Sequence, residues 1–245
     1  VPKIIDLNKP DRLPEEFVAA LKRINYLCVK YEFSEELVKH REVVSLVSDL
    51  NSFCLENYII GVHYTRASQN RIRSQGLLIR SGEEIRAEFL KDFGHMFSES
   101  EIVTIKERWS NYFLPDQSRI RDGRLFFNFT KTSLNNGGAE PLLGLYGGEQ
   151  VSICFRRDCS IGSKLAYIGE PVMVCCSLNP NIVSTFIEYP WGKILVSSYH
   201  LSVNTGAYGI DQDGYQSVPV TPDNIVEIIQ LSKENLWIIS GTQCN

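Results

Sequence analysis

The sequence predicts an α+β fold with a mostly antiparallel sheet, and two observations carry that prediction. Apolar residues recur at three-to-four spacing through the first half of the chain, whereas from Arg124 onward short β-branched and aromatic runs are separated by Gly, Pro, Asn and Asp. Helical patterns first and strand patterns later argue against the alternating order of a parallel βαβ sheet. At 245 residues, with 43% hydrophobic and 22% charged residues, the chain is long enough to bury a substantial core and lacks the charge excess of a disordered one.

The elements follow in order. In RLPEEFVAALKRINYL, Pro14 and two glutamates mark a helix start, and Phe17, Leu21, Ile24 and Leu27 fall on one face. A second helix is expected from Ser34 to about Cys54, with Leu37, Val44, Val47 and Leu50 inward. YIIGVHYT reads as the first strand and GEEIRAEFLKDFG as another helix. SESEIVTIKERWSNYF opens on a Ser98/Glu101 capping box and carries Ile102, Ile105, Trp109 and Phe113 on one stripe. Leu114 to Asp122 reads as a long variable loop. RLFFNFT, QVSICF, PVMVCCSL, KILVSSYHLSV, IVEIIQL and LWIIS then read as strands. Residues 1–57 thus form a helical segment expected to pack on a core of residues 58–245.

Charge is uneven. Arg66 to Arg124 carries eleven Lys/Arg against nine Asp/Glu, and Asp158 to Asn245 carries three against eight. The middle of the chain is therefore where an anionic ligand is expected, although no segment has the clustered basic surface of a nonspecific nucleic-acid binder. The seven cysteines contain no C-x-x-C pair, which speaks against a disulfide framework or a cysteine-based zinc site. The first residues show no signal-peptide pattern and no apolar run reaches membrane length, so a cytoplasmic protein that does not engage the membrane is expected.

P-loop, Rossmann, zincin and nucleophile-elbow signatures are missing, and four histidines make a multi-histidine metal site improbable, so no metal is expected. Of those four, His63 lies at a strand end among polar residues. Side chains alternate along a strand, so His63 and Thr65 point together, Tyr64 points away, and Arg66 follows. Imidazole and hydroxyl groups suit ribose hydroxyls, and guanidiniums from Arg66 or from Arg71, Arg73 and Arg80 suit phosphates. The plainer reading is a core histidine followed by solvated arginines.

HYTRASQNRIRSQGLL resembles the first strand and helix of the ADP-ribosyltransferase superfamily. There, a His or Arg on the strand is followed by a helix with an isoleucine and a closing Gly-Leu. Poly(ADP-ribose) polymerases have a histidine-glycine strand end, and DarT-type toxins a His-x-Thr with a nearby asparagine, which corresponds to His63, Thr65 and, with a one-residue offset, Asn70. GRLFFNFTKTSLNN resembles the second motif of the polymerases, with Phe126 or Phe127 where that family has a tyrosine, and GEPVMVCCSLNPN the next core strand. GYQSVPVTPDNIVEIIQL resembles the toxin segment in which a catalytic glutamate precedes Val-Pro, and here that position is Gln216.

The resemblance spans about residues 60–230 and implies a split, mostly antiparallel sheet with an NAD cleft. It implies that NAD is the substrate and that ADP-ribose passes to a protein or nucleic-acid acceptor. His63, Tyr64, Thr65, Arg66 and Asn70 would hold NAD, and Phe126 or Phe127 would cover the nicotinamide. The activity implied is a glycosyltransferase, of the kind found in bacterial toxins and anti-phage effectors, for which an antitoxin or inhibitor protein is a further partner. Glutamine at 216 lacks the charge that stabilises the developing cation as nicotinamide leaves. Glu149, after two glycines, is the preferred carboxylate, with Glu188 and Glu227 behind it. NAD hydrolysis, an inactive NAD- or ADP-ribose-binding module and a purely structural protein are the alternatives.

Overall fold

The computed structural model describes residues 2–130, 132–134 and 136–232. In chain order the elements are β1 (Ile4–Ile5), α1 (Glu15–Arg23), α2 (Asn25–Lys30), α3 (Ser34–Leu37), α4 (Arg41–Leu55), β2 (Tyr58–Ala67), α5 (Gln69–Gln75), α6 (Gly82–Phe93), α7 (Glu99–Tyr112) and α8 (Pro115–Arg121). There follow β3 (Leu125–Asn128), α9 (Glu140–Leu143), α10 (Gly148–Ser152), α11 (Ile161–Tyr167), β4 (Glu170–Leu178), β5 (Ser184–Thr185), α12 (Pro190–Val203), β6 (Asp213–Gln216) and β7 (Ile225–Gln230). The fold is α+β, as the sequence predicts. Its open, mostly antiparallel sheet has the order β5-β6-β3-β2-β4-β7, with β1 pairing parallel to β2.

Several expectations needed correction. KILVSSYHLSV is no strand but the body of α12: Pro190 sits in its first turn, and Trp191, Ile194, Leu195 and His200 bury at helical spacing. QVSICF is α10 followed by a 3-10 turn, with Val151 and Phe155 four apart and both buried. Short apolar runs are equally compatible with a buried strand and a buried helix, and packing decides between them. The second helix breaks. His40 is extended and its imidazole accepts from the Glu42 amide, so α4 restarts at Arg41 in a new register that buries Val43 and leaves Val44 exposed. The first helix likewise breaks at Ile24, which separates the end of α1 at Arg23 from the start of α2 at Asn25. The stretch Leu114 to Asp122 is largely the helix α8 rather than a loop. LWIIS lies outside the described residues.

The chain divides into two compact units, neither of them continuous in sequence. The first comprises residues 1–62, 126–132 and 175–216. Its heart is α4 against α12, where the backbones come so close that a Cβ on Gly192 would lie 1.9 Å from the Val47 carbonyl oxygen. Trp191 meets Phe129 edge-on at 4.8 Å, and its amide donates to Asn51 Oδ1. His200, fully buried, closes the C-terminal end of α2. Its Nε2 lies 3.0 Å from both the Cys28 and Tyr31 carbonyl oxygens, and Nδ1 is 2.8 Å from Ser34 Oγ. Carbonyls only accept, so Nε2 carries the proton and the Ser34 hydroxyl donates to Nδ1.

The second unit comprises residues 63–125, 133–174 and 217–245. Its core gathers Phe89 of α6, Ile105 and Trp109 of α7, Val151 of α10, Phe155, and Leu165 of α11. The Trp109 indole N–H donates to the Val151 carbonyl, so its polar edge is satisfied as its ring is buried. Capping boxes start both α6, at Ser81/Glu84, and α7, at Ser98/Glu101.

Candidate functional site

Strand β2 runs to Ala67, and its burial pattern places Tyr64 in the core, at 2% exposure, between half-buried His63 and Thr65. His63 and Thr65 therefore share a face, as strand alternation requires. Arg66 does something other than await a phosphate. Its guanidinium donates to the carbonyls of Ala166 and Ile168 (2.9 Å for the latter) and, at 3.5 Å, to that of Leu143. The first two lie at the C-terminal end of α11, where a helix leaves carbonyls without intrahelical partners, so Arg66 acts as a C-terminal cap delivered from β2. Burial lowers its pKa, partly countered by Glu170. Gly169 makes the approach possible: it sits at φ +64, and a Cβ there would lie 3.1 Å from Ala67 backbone atoms.

Helix α5 follows as the sequence predicts. Asn70 is exposed on it. Gln69 donates to Glu170 and Gln230, and Arg71 pairs with Glu88 and Asp92. Arg80 also pairs with Glu88. Two of the basic groups expected to meet phosphates are thus engaged with carboxylates of α6, and Arg66 with carbonyls. The closing Gly-Leu has a structural cause. Gly76 adopts φ +75, and Leu77 exchanges two 2.9 Å backbone hydrogen bonds with Val220, four residues beyond Gln216.

The two phenylalanines of β3 part company. Phe127 is 1% exposed and belongs to the core, whereas Phe126 is 37% exposed, with its ring 5.5 Å from that of Tyr215 on β6. Strands β3 and β6 are neighbours, so Phe126 and Tyr215 occupy one face of this part of the sheet. Gln216, 3% exposed, shares the other with Phe127. Phe127, not Phe126, is therefore the ring on the face of Gln216.

Glu149 opens α10 behind Gly147 and Gly148, both at positive φ. Its carboxylate is held by Arg121 Nε at 3.0 Å and faces Arg156 at 3.7 Å. Next to it, Asp122 Oδ1 accepts from the Gly82 amide at the start of α6 and from Gln150, whose own carbonyl oxygen accepts from Arg86. Of the two further candidate carboxylates, Glu188 is exposed in the turn before α12, and Glu227 is exposed on β7. His63, Thr65 and Glu149 belong to the second unit, and Phe126, Phe127 and Gln216 to the first. The sequence reading missed Arg121 and Arg156 as partners of Glu149 and Tyr215 as the partner of Phe126. No local pattern announces pairs of this kind, which are separated by 28 residues for Arg121 and Glu149.

Among the described residues there is no cluster of His, Cys, Asp and Glu able to hold a metal, and no helix long and apolar enough to cross a membrane. Compared with family models, curated proteins and solved structures, the chain matches none.

Proposed function

We propose that the protein is an NAD-dependent ADP-ribosyltransferase with a split sheet of that superfamily's type, acting on a protein or nucleic-acid acceptor. The observation supporting this reading is the strand order. The stretches resembling the family's motifs fall on β2, β3 and β6, which are consecutive neighbours in the sheet although they are spread over residues 58–216. The strand-helix-Gly-Leu sequence after His63 also takes the form the resemblance implies.

In this reading His63 and Thr65, which share one face of β2, hydrogen-bond ribose and carboxamide groups. A carboxylate, Glu149 by preference, stabilises positive charge at the anomeric carbon as the bond to nicotinamide breaks and the acceptor attacks from the opposite face. Arg66 is left out of the ligand set because its donors serve α11. The presence of glutamine at 216 favours one second reading, an NAD- or ADP-ribose-binding module without turnover. The biological setting proposed is that of a toxin or anti-phage effector.

The test incubates the purified chain, and a Gln216→Glu version, with labelled NAD and an extract containing protein, DNA and RNA, following nicotinamide release and label transfer. Transfer by either version supports the transferase. NAD binding without release supports the module, and the absence of binding refutes both. In the same assay His63→Ala is expected to weaken NAD binding, and unchanged affinity would remove His63 from the site.

A further inference from the structure

Helix α8 buries none of its seven residues, and its neighbourhood leaves Leu114 and Ile120 exposed. A helix this short does not persist by itself. Pro115 sets its first turn, and the described ties beyond it are polar. Arg121 reaches Glu149 at 3.0 Å, Asp122 takes the Gly82 amide at 2.9 Å and the Gln150 amide at 3.3 Å, and the Gly123 amide donates to the Arg80 carbonyl at 3.2 Å. The segment is thus fastened at its C-terminal end to the starts of α6 and α10, largely through charged side chains. Such attachments are weakened by salt and open locally at low cost, unlike the aromatic core that holds α7.

We infer that Pro115–Asp122 is a strap latched by the Arg121–Glu149 ion pair, and that its release frees the already part-exposed Glu149 carboxylate from Arg121 and leaves Arg156 as its counter-ion. The consequence for turnover rests on the role proposed above for Glu149, but the strap itself does not. Any anionic group that takes up the Arg121 guanidinium would shift the strap toward its open form, because α8 buries no residue that would hold it in place.

The experiment is amide hydrogen exchange on the full chain, comparing wild type with Arg121→Gln, Glu149→Ala and the double variant, each in low and high salt. The readout is the set of helical amides of Gln117, Ser118 and Asp122. Each single variant is expected to speed their exchange by about fivefold, the scale of one well-placed ion pair. The double variant should add little to Arg121→Gln, because the Glu149 contact is already gone there; Arg121→Gln also removes the guanidinium's bonds to Gln117 within α8, so it is compared with the double variant rather than with Glu149→Ala. High salt should accelerate the wild type toward the variants while amides of α7 stay unchanged. Asp116→Asn, which removes a fully solvated pair with Arg119, should do nothing. Unchanged exchange in α8, a multiplicative double variant, or equal acceleration of α7 would overturn the strap. Nicotinamide release, measured separately on the same proteins, reports on the proposed activity: a strap that opens in a chain without turnover refutes the activity and leaves the strap standing.

Discussion

Replacing Gly76 by alanine separates backbone strain from crowding at the close of the first motif. Gly76 holds φ 75 and ψ −159, a region in which a residue with a Cβ is strained by about 1–3 kcal/mol. The added Cβ would stand 2.0 Å from the Val220 carbonyl oxygen and 3.0 Å from its carbon. These are backbone atoms that cannot rotate aside, and that same oxygen accepts the Leu77 amide in a two-bond bridge. Losing the bridge adds about 0.5–1.5 kcal/mol per bond. Gly76→Ala is therefore expected to destabilise the fold by about 2–6 kcal/mol. Gly123 provides the control, since its φ is also positive, at 68, while nothing lies within 4 Å of its added Cβ. Gly123→Ala should cost about 1–2 kcal/mol from conformation alone. Urea unfolding of the three proteins at neutral pH measures both values. If the two substitutions cost the same, the contact with Val220 contributes nothing and the structural account of the closing Gly-Leu fails.

Other outcomes follow from buried and charged groups. His200→Leu leaves the Ser34 hydroxyl and part of the Cys28 and Tyr31 carbonyl demand unmet, although Asn204 still reaches both carbonyls at 3.3 Å; a loss of about 2–4 kcal/mol is expected in urea, and a loss below about 0.5 kcal/mol would remove the histidine from its capping role. The hydrogen bond from Lys164, with the Ser98 amide and Ser160, brings the Glu101 pKa from 4.5 down to about 2. A depressed folded pKa means stability that is present above the unfolded value and lost as pH falls from about 4.5 toward 2. Glu101→Gln should flatten acid unfolding across that window, and an unchanged acid profile would contradict the assignment. Burial pushes the Cys54 and Cys176 thiols up to about 12, while Cys159 is exposed. Among the described cysteines, iodoacetamide at pH 8 should mark Cys159 first, by peptide mass mapping, and reach Cys54 and Cys176 only on unfolding.

What was legible followed from local chemistry. The Ser98/Glu101 box named the start of α7 because both of its hydrogen bonds are made within one turn. Strand β2 and helix α5 were legible because Gly76 punctuates them, and alternation alone set His63 and Thr65 on one side of Tyr64. Strand and helix were confused at KILVSSYHLSV because a run apolar on nearly every side suits any buried element. Packing decides between them: α12 lies so close to α4 that a Cβ on Gly192 would meet the Val47 backbone. The partners of Arg66 were not legible for a related reason: residue type says that a guanidinium can meet phosphate, but not that the Ala166 and Ile168 carbonyls stand within its reach.

By itself, then, the sequence determined the fold class, the capped helices and the face shared by His63 and Thr65, because propensity, capping and alternation act over a few residues. Tertiary structure decided the rest. It assigned Phe127 rather than Phe126 to the side of Gln216, gave Glu149 its two guanidiniums, committed Arg66 to a helix end and made a helix of Pro115–Arg121. Each of these depends on which groups from distant segments arrive within about 3–4 Å, the range over which hydrogen bonds and ion pairs act, and that proximity is created only when the chain folds.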